Sequence, residues 1–111
     1  MNVNISTIDE FERQFRRLSK KYKSLKGDIQ NLIKELKRNP FCGDDLGGGV
    51  RKIRMAISSK GKGRSGGARV LTLNVLMRSD ADVTLLAIYD KNEIGNVSDE
   101  YIKWLVSEAR K

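Results

Sequence analysis

The period at which apolar residues recur changes along this chain, and this change limits its possible folds more than any other feature. In the first third, apolar side chains recur every three or four residues, which places them on one face of a helix. They are Ile8, Phe11, Phe15, Leu18, Tyr22 and Leu25, followed by Ile29, Leu32, Ile33 and Leu36. From Val50 the period is two, which is typical of a strand. The pattern therefore predicts helices followed by strands.

Local signals predict where the first two helices begin and end. Thr7 and Glu10 form a capping-box pattern, which predicts that a helix begins there. Gly27 interrupts the pattern, and Asp28 can cap a second helix. That helix ends at Asn39-Pro40, since the residue before a proline disfavours helical geometry. Because the joint between the two helices is short, we expect an antiparallel helix hairpin.

The other elements are predicted from alternation and turn residues. Ser98 is the expected N-cap of a C-terminal helix, and Asp44-Asp45 with the glycines 47–49 is expected to form a turn, as are residues 78–82. These elements predict an α+β fold: a short N-terminal strand, an antiparallel helix hairpin, a three-stranded, mainly antiparallel sheet and a C-terminal helix, with the helices packed on the sheet. The predicted strands are residues 2–5, 50–57, 68–77 and 83–89.

Length and composition exclude several classes of protein. A chain of 111 residues has room for one domain, so we expect residues 1–111 to form a single unit. One cysteine and no histidine exclude a disulfide framework, the usual zinc sites and histidine-based catalysis. No apolar run approaches the roughly 20 residues that span a bilayer. We therefore expect a soluble, cytoplasmic protein with no metal, no cofactor and no membrane partner.

The positive charge is concentrated in two segments of the chain. The net charge is +8, yet residues 13–26 and 51–69 each carry seven cations and no acid. Surfaces that need charge only for solubility mix both signs. Segregated charge favours a polyanionic partner, most often a nucleic acid. Solubility, an anionic membrane surface and an acidic protein partner remain as alternatives.

The first basic segment lies on the first predicted helix. With no acid spaced among its cations to pair with them, we expect its solvent side to contact RNA or ribosomal RNA phosphates without selecting a sequence. The alternative is an ordinary solvated face. The candidate residues are Arg13, Arg16, Arg17, Lys20, Lys21 and Lys23.

The second basic segment runs from a strand through a loop into the next strand. A hairpin would return Arg69 towards Arg54, so the cations should converge. The loop, residues 58–67, contains no apolar side chain, and we expect it to be mobile and to order on RNA. Its match to G-x-G-x-x-G does not indicate a dinucleotide site, because no helix follows. The candidate RNA-binding residues here are Arg51, Lys60, Lys62 and Arg64.

Three stretches of this region resemble the RelE/ParE toxin superfamily, in particular its HigB-like branch. They are Val50-Arg-Lys-Ile-Arg-Met-Ala, Ser65-Gly-Gly-Ala-Arg-Val and Leu86-Ala-Ile-Tyr-Asp-Lys-Asn-Glu. The predicted order of elements is also similar. The resemblance implies a RelE-like fold and the toxin of a type II toxin–antitoxin system. It also implies an endoribonuclease that enters the ribosomal A site and cuts translated mRNA, with an antitoxin protein as partner.

Metal-free RNA cleavage uses the ribose 2′-hydroxyl as nucleophile, and it requires a base, an acid and cations around the phosphorane. Lys52 is the candidate for proton transfer, since cations near a lysine ease the loss of its proton. Arg54 and Arg69 are expected to hold the phosphate, and these positions match the basic residues of RelE-like enzymes. Lys91 matches a position that is often basic in the superfamily. The catalytic prediction is therefore Lys52, Arg54, Arg69 and Lys91.

Two departures from the superfamily leave other functions open. RelE-type sites often include a tyrosine near the start of the final helix, whereas the nearest tyrosines here, Tyr89 and Tyr101, are offset from it. The histidine that other members use is absent. One alternative is a ParE-like toxin that binds and inhibits DNA gyrase. The other is a catalytically degenerate, RNA-binding member of the same fold.

Overall fold

The computed structural model describes all residues from 1 to 111, and it contains three α-helices and five strands. The α+β class and the predicted order of helices are confirmed. In chain order the elements are β1 (Asn2–Thr7), α1 (Asp9–Lys21), α2 (Leu25–Arg38), β2 (Asp44–Gly47), β3 (Val50–Met55), β4 (Ala68–Leu76), β5 (Asp80–Asp90) and α3 (Asp99–Ala109), with a 3-10 turn at Ser58–Lys60. No helix is both long enough and apolar enough to cross a bilayer.

All five strands form one mixed sheet in the order β1-β5-β4-β3-β2. β1 runs parallel to β5, and the other pairs are antiparallel. The predicted three-stranded sheet was therefore too small. β2 was missed because its residues, Asp-Asp-Leu-Gly, are all exposed and do not alternate apolar with polar. The predicted turn at 78–82 was also too long, because Asp80 already pairs with Asn2 of β1.

The two faces of the sheet carry separate apolar cores. α1 and α2 cover one face, where Leu18 and Leu25 pack with Val70 and Ile88. α3 covers part of the other face, where Leu105 packs with side chains from β3, β4 and β5. A bulge in β5 turns two consecutive residues, Leu86 and Ala87, into this second core, and the β4–β5 register shifts at the same place. The part of this face that α3 leaves open holds the basic residues described below.

Two of the three predicted helix caps were wrong. Thr7 is the last residue of β1, and its hydroxyl donates to Glu12 while Ile8 precedes α1 without a side-chain cap. Asp28 lies inside α2, where its buried carboxylate accepts hydrogen bonds from the backbone and side chain of Ser58. The Ser24 hydroxyl, directly before α2, also donates to it at 2.7 Å, but the Ser58 partners belong to the loop after β3, which no local sequence signal shows. The third cap is confirmed: Ser98 accepts from the backbone N–H of Tyr101.

Candidate active site

The strand register brings three predicted catalytic residues onto one face of the sheet. Arg54 of β3 lies directly opposite Arg69 of β4. Lys52 is two residues before Arg54, and side chains two apart on a strand share a face. This is the face that α3 partly covers. The predicted return of Arg69 towards Arg54 is confirmed, because β3 and β4 form an antiparallel pair.

Lys52 lies in a groove between α3 and the β2–β3 hairpin. The groove has a volume of about 910 Å³, and its walls include Val50, Ile102 and Val106. Asp44 is opposite Lys52 across the two strands. Nevertheless, no carboxylate oxygen lies within 4.0 Å of the Lys52 ammonium nitrogen. Lys52 is half-buried, and its ammonium has no acidic partner that a ligand in the groove would have to displace.

Arg54 and Lys91 provide exposed cations at the same end of the sheet. Neither forms an ion pair within the chain. Lys91 follows β5 directly, and its backbone N–H donates to the carbonyl of Gly67 at 3.2 Å. Gly67 precedes β4, so this bond fixes the exit of β5 next to the strand that carries Arg69. The structure thus places all four predicted catalytic residues at one end of β3, β4 and β5.

Arg69 is bound more firmly than the sequence suggested. Only 6% of its surface is exposed. Its guanidinium donates to the carbonyls of Arg64 at 3.1 Å, Ala68 at 3.2 Å and Ser65 at 3.2 Å. A guanidinium has five N–H groups, and these three bonds leave two for a ligand. Arg69 therefore organises the preceding loop and keeps part of its capacity to bind a phosphate.

Tyr89 is the residue of this site that sequence reasoning left without a role. It lies directly opposite Arg69 on β5 and is 2% exposed, and its hydroxyl forms no hydrogen bond with another residue. Burial raises the pKa of the Tyr89 hydroxyl, and the charge of Arg69 opposes this effect. The resemblance to RelE-type sites suggests a tyrosine near the start of the final helix. The pairing of β4 with β5 instead places Tyr89 on the same sheet face as Arg69.

A sequence profile described as "RelE toxin of RelE / RelB toxin-antitoxin system" matches residues 11–111. The match extends from α1 to the C-terminal end and includes every candidate residue named above. The chain belongs to the RelE toxin family. It is therefore the toxin of a toxin–antitoxin system, and membership implies a RelB-like antitoxin as its partner.

The loop of this RelE-family toxin, residues 58–67, is anchored by polar contacts at its beginning and end. Ser58 binds Asp28, and the backbone N–H of Ser59 donates to the Ser24 hydroxyl at 2.8 Å. The ammonium of Lys60 lies 2.7 Å from an Asp90 carboxylate oxygen, and 10% of the Lys60 side chain is exposed. The sequence suggested an unanchored loop because the loop has no apolar side chain. The observed anchoring contacts are all polar and therefore do not require one. Lys60 is consequently engaged inside the protein, while Lys62 and Arg64 remain exposed.

Acids of α1 itself and of the segment after β5 pair with several cations of α1. Arg13 pairs with Glu10 at 2.7 Å, and both Arg17 and Lys21 pair with Glu93, at 3.1 and 3.6 Å. The expectation that these cations have no acidic partner was therefore wrong, since Glu93 comes from the segment after β5. Because that segment also carries Lys91, the two basic regions adjoin. The exposed cations of the first basic segment that form no ion pair are Arg16, Lys20, Lys23 and Lys26.

Two other candidate RNA-binding residues have partners within the toxin. Arg51 donates to the carbonyl of Gly43 at 2.9 Å and lies over the ring of Phe41. Arg64 approaches Glu35 at 3.9 Å, with both side chains exposed. Exposed pairs of this kind contribute little free energy. Arg64 is therefore free to exchange Glu35 for a phosphate, whereas Arg51 also holds the residues before β2.

Proposed function

We propose that this toxin is an mRNA endoribonuclease that acts on the ribosome and inhibits translation, as a HigB-like member of its family. The observation that carries the proposal is the arrangement of Lys52, Arg54 and Arg69 on one sheet face, with no carboxylate paired to any of them. A phosphate group fits such a surface, because cations held in place stabilise the charge that develops during cleavage. We also propose a cytoplasmic location, because translating ribosomes are found there.

The proposed reaction needs no metal. Lys52 in its neutral form accepts the proton of the ribose 2′-hydroxyl, and the 2′-oxygen attacks the adjacent phosphorus. Arg54, Lys91 and the two remaining N–H groups of Arg69 stabilise the phosphorane by charge-assisted hydrogen bonds. The bond from phosphorus to the 5′-oxygen then breaks. The products are a 2′,3′-cyclic phosphate and a 5′-hydroxyl.

Tyr89 is our candidate for the acid that protonates the leaving 5′-oxygen. It adjoins Arg69, and burial raises the pKa of its hydroxyl, so the proton is present at neutral pH. Since the chain has no histidine, another group must supply this proton, and the Tyr89 hydroxyl lies beside the phosphate-binding Arg69. Tyr101 is unsuitable because its hydroxyl is bound between Glu10 and Gln14 of α1.

Contact with the ribosome is assigned to the cations outside the proposed catalytic centre. Phosphate contacts position a protein on RNA without selecting a sequence. No ion pair has to be broken before a phosphate can bind Arg16, Lys20 or Lys23. The exposed ion pairs of Arg13, Arg17 and Lys21 are weak enough to exchange for phosphates. Lys62 and Arg64 in the loop would contact the mRNA next to the cleaved bond.

Controlled expression in cells tests this function. We expect growth arrest with a rapid stop in protein synthesis and cleaved mRNA, while plasmid supercoiling stays normal. A double variant, Lys52→Met with Arg54→Met, should abolish both effects at equal protein levels. Intact mRNA together with altered supercoiling would instead indicate gyrase inhibition. Ribosome binding without cleavage by the unmodified protein would indicate a degenerate member of the family.

A further inference from the structure

A buried ion pair between Lys60 and Asp90 joins the loop of residues 58–67 to the end of β5. Both charged groups also form further hydrogen bonds within the protein. Asp90 is 1% exposed, and one of its carboxylate oxygens lies 2.7 Å from the Lys60 ammonium. The same oxygen accepts the backbone N–H of Asn92 at 2.9 Å, while the Tyr22 hydroxyl donates to the other. The ammonium also lies over the ring of Tyr22, 5.5 Å from its centre. Asp90 thus holds α1, β5 and the loop together.

Lys60 also closes the loop on itself. Its ammonium donates to the carbonyl of Gly66 at 2.9 Å, six residues further along the chain. Directly before Gly66 are Arg64 and Ser65, whose carbonyls accept hydrogen bonds from Arg69. The residue after it, Gly67, lies so close to the carbonyl of Met55 that a Cβ would approach it to 2.1 Å. Lys60 therefore fixes the backbone that Arg69 binds.

We propose that Lys60 and Asp90 are positioning residues for the phosphate-binding end of the site, an inference that rests on the proposed function. The pair holds the carbonyl of Gly66, and the carbonyls of the two residues before it, Arg64 and Ser65, orient the Arg69 guanidinium so that its two free N–H groups face the substrate. Asp90 also immediately precedes Lys91, whose backbone is bonded to Gly67. The sequence suggested that Lys60 binds RNA, whereas its contacts assign it to the support of Arg69.

The location of the pair argues for this role more strongly than its contribution to stability does. Replacing a buried ion pair by apolar residues is often neutral or stabilising, so such a pair is weak evidence for a stabilising function. Orientation of a catalytic cation is more demanding, because a displacement of about 1 Å can reduce a rate by about 100-fold.

Single-turnover cleavage of mRNA on programmed ribosomes tests the proposal. With Lys60→Met, we expect the rate at saturating toxin to fall by roughly 10- to 100-fold, while the toxin concentration at half-saturation changes by less than about 2-fold. Lys60→Arg keeps the charge and should recover most of the rate. Asp90→Asn should resemble Lys60→Met. If Lys60→Met does not fold, Asp90→Asn alone decides the result.

Two controls separate positioning from general stability. Lys37→Met removes an exposed, unpaired cation of α2, and its rate should equal that of the unmodified toxin. Val83→Ala lowers the melting temperature by removing two buried methyl groups of β5, seven residues before Asp90 and so at the other end of that strand from the loop, and it should keep the rate at temperatures where it is folded. A Lys60→Met rate no lower than that of Val83→Ala would overturn the proposal, as would a change in half-saturation alone.

A second measurement does not depend on cleavage. In the folded toxin, the side-chain N–H signals of Arg69 should exchange slowly with water, and equally slowly in Lys60→Arg. They should exchange faster in Lys60→Met and Asp90→Asn. Equal exchange in all four proteins would overturn the proposal. If the unmodified toxin shows no cleavage, the proposed function fails, and this exchange measurement still decides whether Lys60 and Asp90 orient Arg69.

Discussion

At the scale of single residues, neighbouring acids decide what each lysine of this toxin can do. Lys60 lies against the buried carboxylate of Asp90 and supports the structure. Lys52 and Lys91 have no acid within ion-pair distance, although Asp44 lies opposite Lys52 across the strands. Sequence position alone did not separate these lysines, because all three lie in or beside basic stretches.

The unpaired cations of the site should matter for activity and not for stability. For Lys52→Met and for Arg54→Met we expect the second-order rate constant of mRNA cleavage on ribosomes to fall by about 100-fold or more, since a proton-transfer group or a charge-stabilising donor contributes effects of this size. Their melting temperatures should match that of the unmodified toxin, because neither side chain has a bonded partner to lose. Full activity of either variant would remove that residue from the site.

Tyr101 should behave as a structural residue with an unusual titration. Its hydroxyl donates to Glu10 at 2.9 Å and accepts from Gln14 at 2.8 Å. Burial, followed by the hydrogen bond to Glu10, raises the pKa of Tyr101 from 10.0 to about 12. Because the folded value is the higher one, the stabilisation is complete below pH 10.0 and is lost as the pH rises towards about 12.

Replacing Tyr101 by Phe tests this contribution. The change leaves Glu10 and Gln14 without their shared partner, and we expect the free energy of unfolding at neutral pH to fall by about 1 to 3 kcal/mol. A titration of phenolate absorbance should lose the group that ionises near pH 12 in the unmodified toxin. Cleavage activity should be retained below the melting temperature. A normal tyrosine titration in the unmodified toxin would contradict the assigned contacts.

At the scale of elements, the loop of residues 58–67 should divide into an anchored and a free part. The backbone N–H groups of Ser58, Ser59 and Lys60 all have acceptors, at 3.0, 2.8 and 2.9 Å. Amide hydrogen exchange should therefore be slow at these positions and fast at residues 62–65 in the free toxin. Binding to ribosomes should slow exchange at 62–65. Uniformly fast exchange from 58 to 65 would contradict the anchoring.

The elements that could be predicted from sequence are those whose signals are local. Periodicity identified the three helices, and Ser98 marked the start of α3 correctly. β2 could not be predicted, because its pairing with β3 places no apolar side chain in a core. Asp28 is of a residue type that often caps helices, but its carboxylate accepts a hydrogen bond from Ser58, 30 residues away. Long-range partners of polar residues leave no periodic trace in a sequence.

The same distinction applies to the candidate site. The convergence of Arg54 and Arg69 could be predicted, since it follows from strand alternation and a hairpin. The support from Asp90 to Lys60 could not, because it joins an acid at the end of one strand to a lysine in a distant loop. The position of Tyr89 beside Arg69 follows from the same strand alternation, but only once the β4–β5 register is known.

At the scale of the whole molecule, the two basic segments of the chain form neighbouring regions around the exit of β5. Glu93 pairs with Arg17 and Lys21 of α1, while Lys91 adjoins the loop. Under the proposed function, one RNA-bound orientation uses both regions, and the uneven distribution of the net charge of +8 along the sequence fits this use.

The salt dependence of ribosome binding should reveal the contribution of α1 and of Lys23, which lies in the turn after it. Replacing Arg16, Lys20 and Lys23 together by Gln removes three unpaired cations, and we expect the slope of log affinity against log salt to decrease by about 2 to 3, since each phosphate contact contributes about 0.7 to 0.9. The matched control replaces Lys34, Lys37 and Arg38 of α2 by Gln, and it should keep the slope. Equal slopes for both triple variants would indicate that this surface is an ordinary solvated face.

The nature of the RNA ends produced on ribosomes tests the central claim most directly. Purified toxin is added to ribosomes programmed with a defined mRNA, to the same mRNA alone, and in parallel as the Lys52→Met variant. We predict a cut within the A-site codon, a 2′,3′-cyclic phosphate on the upstream fragment, and neither product with free mRNA or with Lys52→Met. Intact mRNA on ribosomes, or equal cleavage by Lys52→Met, would contradict the account.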